Sequence, residues 1–211
     1  MHNTRREIEV LVIDYGVGNH QSVCNALERL GYTYAVSSEK QEIKNAPAYI
    51  LPGVGAFKEA MHNLEQRGIR EMLREEVVEK GKPLLGICLG MQVLADDSVE
   101  GGLTPGLGFI PGHVVPIPSH GVRVPQVGWN TLTVEKTEPL FTAIKKDTRF
   151  YFDHSYHFAT AKRYRAATTY YGSEIVVAVQ HANIYGVQFH PEKSQTAGLR
   201  LLRAFMERTK K

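Results

Sequence analysis

The sequence has 211 residues, 43% hydrophobic and 22% charged, which is typical of a globular protein with one sizeable core. Its net charge of +3 comes from mixed acidic and basic residues, without the basic stripe and interleaved aromatic residues that indicate nucleic-acid binding. No apolar run reaches the roughly 20 residues of a membrane helix. We therefore expect a single domain over residues 1–211 with no nucleic-acid or membrane partner.

The number of cysteines and the first residues of the chain indicate the cellular compartment of the protein. The chain has 2 cysteines and no CxxC pair, which excludes a disulfide framework. A reducing, cytoplasmic setting is therefore expected. The opening stretch, MHNTRREIEV, has charges but no apolar segment, so we expect no signal peptide.

The first half of the chain alternates predicted strands with predicted helices. The strands are short apolar runs that end near glycine, proline or polar residues: IEVLVID, TYAVSS, AYILPG and PLLGIC. Helical periodicity follows three of them: from Gln21 to a stop at Gly31, from Phe57 to Lys80 with an interruption at Gly68, and from MQVLADD onward. This alternation favours a parallel sheet with helices on both faces.

The second half is rich in short β-branched and aromatic segments. These are VVPIP, TLTVE, RFYFDHSYHFA, YRAATTYY, IVVAVQ and IYGVQF, and they predict hairpins or strands added to the sheet. TAGLRLLRAFMERTKK closes the chain as a predicted amphipathic helix. The predicted fold is an α/β three-layer sandwich whose central sheet is mostly parallel, with an antiparallel elaboration in the second half.

The stretch LLGICLGMQ places Cys88 between Gly86 and Gly90, in the G-x-C-x-G pattern of a strand-to-helix nucleophile elbow. The glycines make room for a sharp turn that lifts the thiol out of the sheet. The following backbone N–H, on Leu89, is then aimed at the oxygen of an attacked carbonyl. The alternative is a structural cysteine beside close-packed glycines, which is how we interpret Cys24 in its amphipathic helix.

A thiolate nucleophile needs a base, and QFHPEKS offers His190 with Glu192 two positions later. Pro191 favours an extended His190, and residues i and i+2 of an extended segment point the same way. A carboxylate on one ring nitrogen leaves the other to serve the thiol. The alternative is a polar contact on the surface at a strand end.

A second oxyanion donor is expected at another strand end. In LPGVGAF, Val54 lies between two glycines, and we predict that its N–H completes the hole with Leu89. The alternative is a simple loop to the next helix.

Other motifs are weak. GVGNHQ begins like a dinucleotide fingerprint but lacks its third glycine, and no GK[ST] follows any glycine loop. No histidine has metal-ligand spacing with carboxylate or thiol partners. We expect neither a cofactor nor a metal.

As an ordered set, DYGVGNHQSV, LPGVGAF, LLGICLGMQ, VGWN, YFDHSYHF and YGVQFHPEKS resemble the triad-type (class I) glutamine amidotransferases over nearly the whole chain. The resemblance implies that Cys88 attacks the side-chain amide of glutamine, releases ammonia and leaves a glutamyl thioester. His190 would move the protons, Glu192 would orient His190, and water would complete the hydrolysis to glutamate.

Further residues match family positions with other roles. The resemblance implies that the substrate is held by Gly55, Gln92, Ser155 and Tyr156. It places Asn19, Trp129, Asn130 and Lys193 at the face of a partner. That partner would be a (β/α)8-barrel cyclase that forms a heterodimer with this chain and makes imidazole glycerol phosphate in histidine biosynthesis. We expect the hole at Val54 to be poorly formed until partner and acceptor bind.

Two positions depart from the family pattern. Gln126 stands where histidine is common, and Asp153 where an apolar residue is usual, and we expect both near the partner surface. They leave room for a paralogue that supplies ammonia to surface-sugar synthesis. The other open alternatives are a cysteine hydrolase of γ-glutamyl peptides and a binding or regulatory protein without activity.

Overall fold

The computed structural model describes residues 7–209. Residues 1–6, which belong to the stretch where we expect no signal peptide, lie outside the described residues. So do residues 210 and 211, the last two of the predicted C-terminal helix. The α-helices are α1 (His20–Leu30), α2 (Lys40–Asn45), α3 (Phe57–Gln66), α4 (Ile69–Leu73), α5 (Leu89–Gln92) and α6 (Gln195–Arg208). A π-helical segment, Arg74–Glu79, follows α4 directly, and short 3-10 helices lie at Lys162–Tyr164 and Pro191–Lys193. The strands of the first half are β1 (Val10–Ile13), β2 (Tyr34–Ser37), β3 (Tyr49–Gly53), β4 (Leu84–Cys88), β5 (Asp97–Ser98) and β6 (Thr104–Pro105). Those of the second half are β7 (His113–Pro116), β8 (Gln126–Thr131), β9 (Thr133–Val134), β10 (Arg149–His154), β11 (Tyr156–Ala159), β12 (Arg165–Tyr171), β13 (Ser173–His181) and β14 (Ile184–Val187).

An eight-stranded sheet in the order β2-β1-β3-β4-β14-β13-β12-β9 forms the centre of the molecule. Its strands β2, β1, β3, β4 and β14 run parallel, and β13, β12 and β9 continue it in antiparallel orientation. Ile87 pairs with Val187, so the carboxyl ends of β4 and β14 are neighbours. The predicted α/β fold with a mixed sheet between helices is confirmed.

Both faces of the central sheet are covered. Along β1, Val10 and Val12 pack into one core and Leu11 and Ile13 into the other, because successive strand side chains point to opposite faces. The first of these cores includes side chains of α1 and α6, and the second includes side chains of α2, α3 and α4. Burial on both faces explains why these strands are continuous apolar runs rather than alternating ones.

The remaining strands form two smaller sheets. One has the order β11-β7-β5-β6, and the other pairs β8 with β10 in antiparallel orientation. This is the elaboration that the short strands of the second half predict. Within residues 7–209, no helix is long and apolar enough to cross a membrane.

Two helices of the structure differ from the predicted secondary structure, and each difference has a physical reason. The sequence did not predict α2, since KQEIKN buries only Ile43 and shows no apolar periodicity. The helix predicted in MQVLADD was wrong in extent: α5 begins at Leu89 and lasts a single turn. After it, the carbonyls of Val93 and Leu94 accept hydrogen bonds from the N–H groups of Leu107 and Phe109, at 2.8 and 2.9 Å. These long-range bonds end the helix.

Candidate active site

Cys88 lies at the sharp turn between β4 and α5. Its φ of 56° and ψ of −113° are rare for a residue with a side chain. A Cβ on Gly90 would overlap the carbonyl oxygen of Leu51 in β3, and a Cβ on Gly86 would overlap that of Gly90. The two glycines therefore let the chain turn back tightly against the sheet. Since α5 is one turn long, its first N–H groups matter here more than a helix dipole.

His190 and Glu192 lie beside the sulfur, just beyond the end of β14. His190 Nδ1 is 2.8 Å from Glu192 Oε1, and these side chains are only 3% and 2% exposed. His190 is extended, with φ −97° and ψ 96°, but Glu192 lies in a short 3-10 turn, Pro191–Lys193. The contact therefore forms through a turn and not along an extended segment. His190 and Cys88 line the same cavity.

The electrostatics of this group favour a charged imidazole. Burial alone lowers the pKa of His190, but its electrostatic interactions with Cys88 and Glu192 outweigh burial and raise the pKa to about 10. The imidazolium form is thus favoured at neutral pH, next to the sulfur. The second carboxylate oxygen of Glu192, Oε2, is buried without a hydrogen-bond partner.

A cavity of about 290 Å³ opens over the sulfur. Nine of the residues singled out in the sequence line it: Val54, Gly55, Cys88, Leu89, Gln92, Ser155, Tyr156, His190 and Lys193. Glu192 is behind His190 and does not line the cavity. The other lining residues are Asp153, which the sequence analysis named only as a departure from the family pattern, and Glu100, Pro125 and His154, which it missed.

Val54 and Leu89 approach the sulfur from two different strand ends. Gly53 on β3 pairs with Cys88 on β4, and Val54 is the next residue after Gly53. Val54 is 41% exposed, and Gly55 has a φ of 110° that favours glycine. Both residues line the cavity with Cys88, and their role as oxyanion donors stays a prediction.

Of the four residues expected at a partner face, only Lys193 lines the cavity. Trp129 is 45% exposed on β8, and its ring centroid is 5.9 Å from that of Tyr151. The Lys193 ammonium is 5.7 Å from the Tyr151 ring centroid, and the Tyr151 and His190 centroids are 6.4 Å apart. Tyr151, which the sequence did not single out, therefore connects the exposed tryptophan with the site.

Asn130 and Asn19 are engaged within the chain. Asn130 Nδ2 donates to the carbonyl oxygen of Tyr170 at 3.0 Å. Asn19 is the N-cap of α1, where its Oδ1 accepts from the Ser22 N–H at 3.3 Å. Both side chains are thus hydrogen-bonded within the isolated chain.

The two departures from the family pattern differ in position. Asp153 is exposed at the cavity, and its carbonyl oxygen is 3.9 Å from Cys88 Sγ. Gln126 is only 3% exposed, so its side chain is not itself on the surface, and its position near a partner stays a prediction. Its Oε1 is 2.9 Å from Nε2 of His154, and Nδ1 of His154 is 2.8 Å from the carbonyl oxygen of Tyr156. Burial lowers the pKa of His154 to about 4.

The sequence analysis also missed Gln188. This side chain is fully buried, and its Nε2 is 3.6 Å from Cys88 Sγ. Its position two residues before His190 was the available signal, because alternate residues of a strand face the same way.

A model of the family described as "Glutamine amidotransferase class-I" matches residues 11–208. One relative is imidazole glycerol phosphate synthase subunit HisH 2 of Vibrio vulnificus (strain YJ016), 48% identical over 95% of this chain and 94% of its own length. Imidazole glycerol phosphate synthase subunit HisH of Moorella thermoacetica is also 48% identical, over 94% of each chain.

Solved structures share the fold. A crystal structure of a glutamine amidotransferase superposes with a TM-score of 0.75 and 24% identity, over 95% of this chain and 99% of that one. The PurLQS structure from Thermotoga maritima gives a TM-score of 0.74 and 20% identity, over 94% of this chain and 97% of the matched one. Together with the family model and the two relatives, these similarities lead to one conclusion: the chain belongs to the class-I glutamine amidotransferases.

Proposed function

We propose that this protein hydrolyses L-glutamine to glutamate and ammonia, with Cys88 as nucleophile, His190 as acid and base, and Glu192 as the residue that orients His190. One observation carries the proposal: Cys88 and His190 line the same cavity, and His190 Nδ1 is 2.8 Å from the buried Glu192 carboxylate. A cysteine, a base and a group that orients the base are what nucleophilic acyl transfer requires.

The raised pKa of His190 suggests the order of the proton transfers. With the proton on the imidazole at neutral pH, the thiolate attacks the amide carbon of glutamine and the negative charge moves to the amide oxygen. The N–H groups of Leu89 and Val54 would stabilise that oxyanion. His190 then gives its proton to the departing nitrogen as the C–N bond breaks. Ammonia leaves, and a thioester remains on Cys88.

Hydrolysis of the thioester restores the site. His190, now neutral, takes a proton from a water molecule as its oxygen attacks the thioester carbon. The C–S bond breaks, glutamate leaves, and the thiolate beside the imidazolium is regenerated. The same side chain thus acts as acid in the first half-reaction and as base in the second.

The size of the cavity is consistent with a small substrate. Its volume of about 290 Å³ has room for one free amino acid. Gly55, Gln92, Ser155 and Tyr156 line it and are the proposed contacts of the bound glutamine.

We further propose that the ammonia passes to a (β/α)8-barrel cyclase in a heterodimer, for the synthesis of imidazole glycerol phosphate in the cytoplasm. The support is that relatives 48% identical over most of this chain are named as subunits of imidazole glycerol phosphate synthase. A partner surface would include Asn19, Trp129, Asn130 and Lys193, of which Lys193 also lines the cavity.

The test is glutamate release by the purified protein, alone and with a histidine-pathway cyclase. The chain offers a matched pair of cysteine variants, because Cys24 is also buried and free but lies on α1 and packs in the core. We expect Cys88→Ala to abolish glutamate release and Cys24→Ala to retain it. A glutamine-analogue electrophile should label Cys88 alone. Glutamate release by Cys88→Ala at the wild-type rate would exclude the proposed mechanism.

A further inference from the structure

Two buried amide side chains connect the reactive sulfur with the wall of the cavity. Gln188 Nε2 is 3.6 Å from Cys88 Sγ, and Gln188 Oε1 accepts from Gln92 Nε2 at 3.0 Å. Gln92 Nε2 also donates to the carbonyl oxygen of Tyr156 at 3.2 Å. Gln188 and Gln92 are 0% and 5% exposed, so solvent does not replace these contacts.

The backbone carbonyl of Tyr156 fixes the orientation of both amides. A carbonyl oxygen only accepts hydrogen bonds, so the NH2 group of Gln92 must face it. The second hydrogen of that NH2 group then points to Gln188, which must present its oxygen there. The NH2 group of Gln188 is consequently turned to the sulfur.

We propose that Gln188 is a further catalytic residue, which donates an amide N–H to the sulfur of Cys88 and holds Gln92 with its oxygen facing the substrate. This assignment rests on the proposed function in so far as Cys88 is the nucleophile. It adds a residue outside the Cys88, His190 and Glu192 group and links it to the proposed substrate contact.

The chemistry of an amide suits this position. His190 must lose and regain a proton in each cycle, whereas an amide N–H is a donor at every step and at every pH in which the protein is folded. It can therefore hold the sulfur both as attacking thiolate and as leaving thiolate. The carbonyl of Asp153, 3.9 Å from the sulfur, accepts only from a protonated thiol and cannot stabilise the anion.

The second half of the assignment concerns the substrate. Because both hydrogens of the Gln92 amide are used, by Tyr156 and by Gln188, its Oε1 is left as an acceptor. Gln92 lines the cavity, so this oxygen is available to an N–H donor of a bound amino acid. Loss of Gln188 would leave the Gln92 amide held by Tyr156 alone, so that its oxygen would be less firmly positioned for the substrate.

The experiment measures the alkylation of Cys88 by iodoacetamide as a function of pH, followed by peptide mass spectrometry to separate Cys88 from Cys24. Three variants are compared with the wild type. Gln188→Met keeps the length of the side chain without its polar atoms, and Gln188→Asn keeps an amide that is too short to reach the sulfur. Thr169→Val is the matched control, since it removes a buried hydrogen bond, to the carbonyl of Thr131, away from the site.

Loss of a hydrogen bond to a charged sulfur reduces the thiolate fraction about tenfold. We therefore expect the alkylation midpoint of Gln188→Met and Gln188→Asn to move about one pH unit upward, and that of Thr169→Val to stay unchanged. The KM for glutamine should also rise in Gln188→Met. In Gln92→Met, which leaves the donor to the sulfur in place, the KM should rise without a shift of the midpoint.

A wild-type midpoint in a folded Gln188→Met or Gln188→Asn variant would overturn the assignment. Since alkylation needs no turnover, the result is separate from the proposed function. A wild-type protein that releases no glutamate would contradict the glutaminase activity, while the midpoints would still decide whether Gln188 stabilises the thiolate.

Discussion

At the scale of single residues, the geometry of Cys88 shows how backbone strain accompanies reactivity. A residue with a Cβ at a φ of 56° and ψ of −113° costs on the order of 1–3 kcal/mol. The structure maintains this conformation because the glycines on either side pack against β3 and against one another. The thiol is thereby held at the end of β4, where a substrate can reach it.

Removing the Cβ of residue 88 should relieve that strain. We expect Cys88→Gly to be more stable than Cys88→Ala by about 1 kcal/mol, because relief of strain outweighs the entropic cost of glycine. Urea unfolding of the two variants measures the difference, and neither variant should release glutamate. A Cys88→Ala protein that is the more stable of the two would show that the turn is not strained.

The contact between His190 and Glu192 predicts a pH-dependent stability. The pKa of His190 rises from 6.5 to about 10 in the folded chain, so the stabilisation is complete below about pH 6.5 and is lost as pH approaches about 10. The difference in free energy of unfolding between wild type and Glu192→Gln should therefore be larger at pH 6 than at pH 10. Urea unfolding at about pH 6 and about pH 10 measures this difference in free energy.

An exposed ion pair provides the control for that comparison. Glu174 Oε1 is 3.5 Å from Arg165 Nη1, and no histidine takes part in this pair. The effect of Glu174→Gln on the free energy of unfolding should be small and equal at both pH values. If Glu192→Gln behaves in the same way, the imidazolium does not interact with Glu192 as the structure indicates.

At the scale of secondary structure elements, the sequence predicted the helices and strands that are determined by residues close together in the chain. Strands β1, β3, β4 and β14 are buried on both faces and read as apolar runs, and Gly31 ends α1 with a φ of 81°. The extent of α5 could not be predicted, because distant N–H groups bond to the carbonyls that follow it. Gln188 was missed for a similar reason, since its partners Cys88 and Gln92 are distant in sequence.

The close approach of α5 to β3 makes Gly90 more sensitive than an ordinary glycine. A Cβ at Gly90 would overlap the Leu51 carbonyl, so Gly90→Ala must displace a central strand and should cost more than about 4 kcal/mol or prevent folding. Gly31→Ala is the control: it has nothing within 4 Å of its Cβ and should cost about 1 kcal/mol through its left-handed φ alone. Similar urea midpoints for the two variants would contradict the predicted overlap.

At the scale of the whole molecule, the parallel sheet explains why the site could be anticipated. Residues at the carboxyl ends of β3, β4 and β14 meet at one edge, and the sequence placed Val54, Cys88 and His190 there. The opposite wall of the cavity, with Pro125, Asp153 and His154, comes from segments around β8 and β10. Their pairing depends on long-range register, which no local pattern of the second half specifies.

The need to control ammonia leads to a prediction for the isolated chain. Ammonia released into neutral water is mostly protonated and is lost as a nucleophile, so hydrolysis without a partner would waste glutamine. We expect the protein alone to release glutamate at least tenfold more slowly than with its cyclase and acceptor, through an oxyanion hole at Val54 that is completed only in the complex. Equal rates in the two states would exclude this coupling.

The surface around Trp129 is where that coupling should begin. Trp129 is large and 45% exposed, and it connects through Tyr151 to His190, as an aromatic anchor of an interface would. We expect Trp129→Ala to weaken cyclase binding, measured by calorimetry, by about tenfold or more. Val78→Ala is the control, since Val78 is 48% exposed but precedes β4, at the opposite end of that strand from Cys88. If both variants bind the cyclase like wild type, the partner surface lies elsewhere on the chain.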